Sequence, residues 1–241
     1  MILGASGRLG RALWESRPQT LEVTALTHAE LDVTDIRAVE AVIALARPDV
    51  VINAAAWTDV AGAQTNAAAA RAVNAVAPCA MGRLFARTGV RIVHFSTDYV
   101  FSGEGSSPWN EASEAHPRQA GVYGVTKHEG ERLLEESGVS GAIVRAGWLH
   151  SGERDFVNAI LSAAAEDRAI RLGEFKLAIR FRKAREGMRR TDADDGFRPL
   201  NCRLSSLKKD EFPRTERWME GVDKSVDFVV EAKKSLWITQ K

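Results

Sequence analysis

Two side chains four residues apart raise the first chemical question. In "GVYGVTKHEGERLL" (121–134), Tyr123 is followed by Lys127. On a helix such a pair shares one face, about 5–6 Å apart at the β-carbons. A free phenol titrates near about 10, so one that exchanges a proton near neutral pH needs help. A neighbouring ammonium stabilises the phenolate and so lowers that value. The same spacing also arises when a tyrosine joins the core and a lysine points to water. Tyr99, the other tyrosine, has Gly103 at the same offset and forms no such pair.

Three further stretches carry groups that such a pair could work with. "GASGRLG" places Gly4, Gly7 and Gly10 directly after the apolar residues Ile2 and Leu3. Glycine permits a sharp turn, and the helix that follows offers free amides and a positive dipole end to a pyrophosphate. A plain glycine turn is the alternative. "FSTDYVF" (95–101) ends an apolar run with Ser96, Thr97 and Asp98, which could reach a substrate carbonyl or simply cap a loop. "NAAAW" (53–57) ends another run in small side chains, over which a ribose could lie flat or a helix pack.

These stretches need elements to bring them together. "LEVTAL" (21–26), "DVVINAA" (49–55), "VRIVHFS" (90–96) and "GAIVRA" (141–146) read as buried parallel strands. Residues 34–48, with Thr34 as N-cap and Pro48 as stop, read as a helix, as do 66–89, ending at Gly89. Strands alternating with helices predict an α/β protein with a doubly wound, Rossmann-type parallel sheet. In such a sheet the ligand crevice lies at the carboxyl ends of the strands, where all three stretches fall. The first strand is unusually short: either it is trimmed or the chain lacks a few residues at its start.

The expected division is a dinucleotide-binding domain over 1–150 and a small, shortened substrate region over 151–241. A good helix is expected at 154–170 and a helical pattern near 216–235. Between them, "EFKLAIRFRKAREGMRRTDADDGF" (174–197) is basic, then acidic, and reads as a solvated surface.

The end of the second strand, "ALTHAE", bears on cofactor choice. An acid there suits a ribose 2′-hydroxyl and an arginine a 2′-phosphate, but Thr27 and His28 supply neither. Asp32 and Val33 could face an adenine edge, or Asp32 could end the turn before the next helix.

A net charge of +1 gives no pull toward nucleic acid or anionic lipid. No apolar run approaches a membrane span, and the opening "MILGASGRLG" does not read as a secretion signal. Cys79, Cys202 and the histidines His94, His116, His128 and His150 show no metal-ligand spacing, so no metal is expected. His128 is expected to point away from the site. A soluble, cytoplasmic protein is the expectation.

Taken together, "GASGRLG", "ELDVTD", "RPDVVINAAAWTDV", "FSTDYVFSGEG", "VYGVTKHEGE" and "RAGWLH" resemble the extended short-chain dehydrogenase/reductases. Within them the pattern is most similar to the dTDP-4-dehydrorhamnose reductase family. "RPLNCRL" late in the chain resembles a stretch typical of that family.

The resemblance implies an enzyme that reduces the C4 ketone of dTDP-4-dehydrorhamnose with NADPH or NADH. Tyr123 would be the proton donor, Lys127 would tune it and hold the nicotinamide ribose, and Thr97 would bond the ketone. Asp98 and Trp148 would line the nucleotide-sugar site. Gly4, Gly7, Arg8, Leu9 and Gly10 would meet the pyrophosphate, Asp32 and Val33 the adenine, and Ala54, Ala55 and Ala56 the ribose side. The partner implied is a nucleotide sugar, and a homodimer is left open.

Two departures stand beside this. Residues 173–197 replace a longer family segment that carries much of the substrate domain. "TDVAGAQ" (58–64) keeps Val60 but lacks the charges that follow it in the family pattern. A non-catalytic binding module, similar to the regulatory β subunit of methionine adenosyltransferase, and another nucleotide-sugar reductase or epimerase are the alternatives.

Overall fold

The computed structural model describes residues 1–104, 109–110, 112–117, 121–147 and 149, with strand backbone at 180–181 and 238–239. Trp148, both C-terminal helical stretches, most of 174–197 and "RPLNCRL" lie outside the described residues. The chain divides into two compact units. The first comprises Met1–Trp109, Ser113–Asp155 and Asp195–Leu204. The second comprises Asn110–Ala112, Phe156–Asp194 and Ser205–Lys241. In the second, β6 (Arg180–Phe181) pairs antiparallel with β7 (Ile238–Thr239).

The first unit holds a five-stranded sheet in the order β2-β1-β3-β4-β5, with every pairing parallel. Its strands are β1 (Ile2–Leu3), β2 (Ala25–Leu26), β3 (Val50–Asn53), β4 (Arg91–Thr97) and β5 (Gly141–Ala146). The order reverses between β1 and β3, which is where such sheets open their ligand crevice. The predicted strand 21–26 contracts to its last two residues. With only Ile2 and Leu3 to pair against, β2 has no ladder to extend along. β4 runs one residue further than predicted, so Thr97 closes the strand instead of following it.

Helix α1 (Arg8–Glu15) joins β1 to β2, and α2 (Ile36–Ala46) joins β2 to β3. The N-cap of α2 is Asp35, one residue beyond the expected Thr34. Its carboxylate accepts from the amides of Arg37 at 3.0 Å and Ala38 at 3.1 Å. Thr34 is instead tied back to Asp32. Arg47 closes α2 in the left-handed region at φ 44°, before Pro48.

The stretch predicted as one helix over 66–89 is interrupted. After α3 (Val60–Thr65), α4 (Ala67–Arg71) passes through a π turn at Ala72–Val76 into α5 (Ala77–Thr88). Such a turn is one residue over-full and marks functional places in helices. Helix α6 (Gly121–Glu136) then joins β4 to β5. Crossovers that step the same way along a sheet lie on one face when all are right-handed. Accordingly α2, α5 and α6 pack side by side. The apolar core beneath them includes Leu3, Val39, Val51, Phe85, Ile92 and Leu134.

Gly130 sets how closely α6 seats on the π turn. A β-carbon there would stand 2.0 Å from the carbonyl oxygen of Asn74. Backbone on both sides leaves nothing flexible to yield. Gly130→Ala is therefore expected to cost about 1–3 kcal/mol, measured as a lowered urea midpoint with an unchanged slope.

Candidate active site

The loops after β1 and β3 meet at the sheet's reversal point. Gly4 adopts φ +78°, and a β-carbon on it would lie 2.7 Å from the amide nitrogen of Ala55. Only glycine satisfies both the turn and that approach. Gly7 is the N-cap of α1 and offers no side-chain acceptor to the first-turn amides, and Gly10 is buried beneath the turn. Arg8 is exposed and Leu9 partly so. An uncapped helix start beside a turn that tolerates no side chain fits a pyrophosphate. On this observation a dinucleotide fits the residues present.

The segment after β3 is held by two buried side-chain amides. Asn53 Oδ1 accepts from the Ala55 amide at 3.1 Å. Asn74, on the π turn, accepts from the Trp57 amide at 2.9 Å and donates to the Trp57 carbonyl at 3.1 Å. It also donates to Thr126 Oγ1 on α6 at 3.2 Å. Ala54, Ala55 and Ala56 thus form a small-residue shelf fixed at both ends.

Tyr123 and Lys127 both address the carboxyl end of β4. The Tyr123 phenol lies beside the Thr97 side chain, which acts on its ionisation. Lys127 Nζ donates to the Phe95 carbonyl at 2.7 Å and lies 3.3 Å from His94 Nε2. Four residues along the helix, about 6 Å, match two residues back along the strand, about 6.6 Å. Helix and strand therefore run antiparallel, as a crossover helix must.

The hydroxyl of Thr97 donates to Asp98 Oδ1 at 3.0 Å and accepts from the Tyr99 amide at 3.2 Å. Tyr99 meets the Tyr123 ring edge-on at 5.5 Å. Ser96 Oγ is buried with no hydrogen-bond partner.

The electrostatics differ from the expected pairing. Burial pushes the Tyr123 phenol above its ordinary value; the Thr97 hydroxyl, a donor to the phenolate form, opposes this and the Asp98 charge adds to it. Lys127, 1% exposed, is drawn down to about 8 by burial, with Glu131 working the other way. The reason is position: the amine is drawn toward the Phe95 carbonyl, away from the phenol. His94 is held well below its usual value, first by burial and then by the Lys127 charge.

Asp32 and Val33 are placed differently from one another. Asp32 accepts from the Thr34 amide and hydroxyl, closing a local turn, and those bonds lower its pKa. Val33 is buried in the core, so only its main chain is left to face a base.

Several residues escaped sequence reasoning. His94 and Asn53 were hidden inside apolar runs, and Asn74 inside an alanine-rich helix. Glu131 was one charge among many on α6. It is 2% exposed and bonds Arg145 at 3.0 and 2.9 Å, with His128 3.6 Å away. His128 is thus half-buried against Glu131. Glu30, twenty residues after Gly10, accepts from the Thr27 amide at 2.8 Å and hydroxyl at 2.7 Å just past β2. Its distance from the last glycine was the available signal.

A sheet that reverses beside a glycine turn, with a tyrosine and a lysine on the helix over β4, defines a dinucleotide-binding protein of the short-chain dehydrogenase/reductase class. The chain belongs to the family described as the RmlD substrate binding domain, whose model matches residues 1–177. It is 40% identical to the dTDP-4-dehydrorhamnose reductase of Streptomyces griseus over 173 residues, 70% of this chain and 56% of that protein. The Mycobacterium tuberculosis enzyme of that name is 40% identical over 172 residues, 68% of this chain and 55% of that protein. The chain therefore spans about half the length of these relatives. Among solved structures, dTDP-4-dehydrorhamnose reductase from Bacillus anthracis in complex with NADP superposes with a TM-score of 0.66 at 30% identity. That match covers 71% of this chain and 61% of the other.

The buried lysine gives a pH prediction. In the unfolded chain Lys127 keeps its proton up to about 10.5, whereas in the folded protein it releases it near about 8. Between these values the unfolded state binds more protons, so this group makes stability rise with pH there. Tyr123 acts oppositely only above about 10. Urea unfolding at about pH 7.5 and 9.5 is expected to show wild type gaining on Lys127→Met as pH rises. Parallel behaviour of the two proteins would contradict it.

Proposed function

We propose that this chain reduces the C4 ketone of dTDP-4-dehydro-6-deoxy-L-mannose (dTDP-4-dehydrorhamnose), giving dTDP-L-rhamnose, with NADPH or NADH. Residues 1–150 bind the dinucleotide and 151–241 contribute the sugar side. The observation that carries this is the Tyr123 phenol beside Thr97, with Lys127 anchored to the Phe95 carbonyl one helical turn on.

The reduced nicotinamide supplies the hydride; orientation and proton supply fall to the protein. The glycine turn with Arg8 and Leu9 holds the pyrophosphate. Asp32 and the Val33 main chain meet the adenine, and Ala54–Ala56 the ribose side. Thr97 turns its hydroxyl from Asp98 to the ketone oxygen, steadying the negative charge that develops there. Asp98 and Trp148 line the sugar site. Tyr123 then gives its proton to that oxygen. A raised phenol pKa suits this direction: the proton stays on Tyr123 until an alkoxide, a far stronger base, forms. Lys127, brought within reach of the ribose, stabilises the phenolate left behind.

A second substrate class has specific support. A Streptomyces antibioticus relative, named a probable dTDP-4,6-dihydroxy-2-methyloxan-3-one 4-ketoreductase, is also 40% identical, over 178 residues. Both readings place a keto group of a dTDP-linked deoxysugar against Thr97 and Tyr123, and rates on the two ketosugars separate them. A cytoplasmic enzyme, free of nucleic acid and membrane, fits a nucleotide-sugar substrate. Among the described residues no helix is long and apolar enough to cross a membrane.

The test is consumption of NAD(P)H with dTDP-4-dehydrorhamnose. Tyr123→Phe is expected to lower kcat by about 10²–10⁴-fold, with cofactor binding retained; equal rates would eliminate the mechanism. Glu30, just past β2, matches the place where an acid favours a 2′-hydroxyl over a 2′-phosphate. Fluorescence titration is expected to show NADH bound more tightly than NADPH, with the preference lost in Glu30→Gln.

A further inference from the structure

A row of polar groups runs beneath the site, from the Ala55 amide through Asn53 and His94 to Lys127. Its proton positions follow from one end. The Ala55 N–H is a backbone donor and cannot reverse, so the Asn53 oxygen faces it at 3.1 Å. The Asn53 NH₂ is therefore the group that faces His94 Nδ1 at 3.0 Å. Nδ1 must accept. A neutral imidazole with an accepting Nδ1 carries its hydrogen on Nε2. That nitrogen lies 3.3 Å from Lys127 Nζ.

An ammonium at Lys127 has three donors and no acceptor. It cannot face an N–H. As an amine, Lys127 donates one hydrogen to the Phe95 carbonyl at 2.7 Å and accepts the Nε2–H with its lone pair. The heavy-atom arrangement thus satisfies the amine form. To hold an ammonium, His94 must present a bare Nε2 and carry its hydrogen on Nδ1. The Asn53 amide must then turn over, and the Ala55 N–H loses its acceptor.

We propose that Asn53 and His94 are positioning residues that couple the proton on Lys127 to the backbone amide of Ala55, with His94 exchanging Nε2–H for Nδ1–H when Lys127 becomes an ammonium. One proton enters from solvent and the imidazole is neutral on both sides. The consequence for catalysis rests on the reading of Lys127 given above, since Ala55 lies on the shelf assigned to the ribose side. A ligand atom that accepts from the Ala55 amide takes over the role of Asn53, and so favours the ammonium that the phenolate needs. The coupling itself needs no substrate.

The surrounding charges leave His94 as the group that decides. Glu131, on the same helix, favours the ammonium, but its carboxylate is shared with Arg145 of β5 and approached by His128. Tyr123 lies one turn back, with Asp98 of the turn after β4 close to it. Arg71 of α4 spends its charge on Glu129. α3 and the π turn bring no ionisable side chain, and α5 brings buried Cys79 and exposed Arg83 and Arg87.

The experiment is a nitrogen-15 NMR titration of the whole chain, labelled at histidine and lysine, without cofactor. The His94 signals are assigned by their loss in His94→Gln. Above the Lys127 transition, His94 is expected to show a protonated Nε2 and a bare Nδ1. Below it the pattern reverses, with one midpoint shared by both residues, near the value of about 8 that burial gives Lys127. In Lys127→Met the Nε2–H form is expected throughout. An unchanged His94 tautomer while Lys127 titrates, an imidazolium at His94, or separate midpoints would each overturn the coupling. Should Lys127→Met fail to fold, the wild-type curves decide alone. A failed reductase assay with a shared midpoint would sink the function and leave the coupling standing.

Discussion

The bond from Lys127 to the Phe95 carbonyl is the constraint on which the site depends. A lysine nitrogen almost wholly removed from water must find acceptors or give up its charge. This one does part of each. It takes a main-chain oxygen inside β4 and has its affinity for a proton reduced. A main-chain oxygen cannot move without the strand. The helix carrying Lys127 is therefore held at one height along β4, and Tyr123, one turn earlier, arrives at Thr97. Gly130 allows the approach from the other side, where a methyl group would meet the Asn74 carbonyl. Anchor, clearance and reach are three views of one placement.

The small-residue shelf answers the same need by other means. Beyond Ala54, whose amide still bonds the Leu3 carbonyl of β1, the chain has left the sheet, so the next amides have lost strand partners. Asn53 and Asn74 supply replacements from the side. Because Asn74 also bonds Thr126 on α6, the shelf and the tyrosine–lysine helix are located against each other by one amide. Two loops that must cooperate are thus measured from one side chain.

The parts of the fold read correctly from the sequence were those with periodic burial. The helix that holds Tyr123 and Lys127 shows this, whereas the strand over 141–146 was read from its short apolar run and, expected to be buried, has no fully buried residue. What misled was local chemistry of near-equal candidates: Thr34 and Asp35 both cap helices, and only the carboxylate reaches the amides of Arg37 and Ala38. Strand 21–26 failed because a strand needs a neighbour, and β1 offers two residues. The π turn left no trace in an alanine-rich run, because an extra residue changes phase without changing composition. In the site, residue types that carry chemistry were visible at the loops. Their supports were not, since Asn53 and His94 pair across strands 41 residues apart. The expected depression of the phenol by its lysine also required knowing where the amine goes, which is a question of depth and not of spacing.

The π turn at Ala72–Val76 carries a consequence for how such a sequence can change. Each residue of a helix advances about 100°. Removing one residue there would let the stretch rewind as a regular helix. Everything upstream would then swing by that angle relative to α5, and the Asn74 amide would leave Trp57. Exchanges of one amino acid for another along 67–88 alter packing locally and can be absorbed. A change in the count of residues cannot be. Across descendants of such a chain, this stretch should accumulate substitutions while keeping its length, so its length is the more sensitive record of a preserved site.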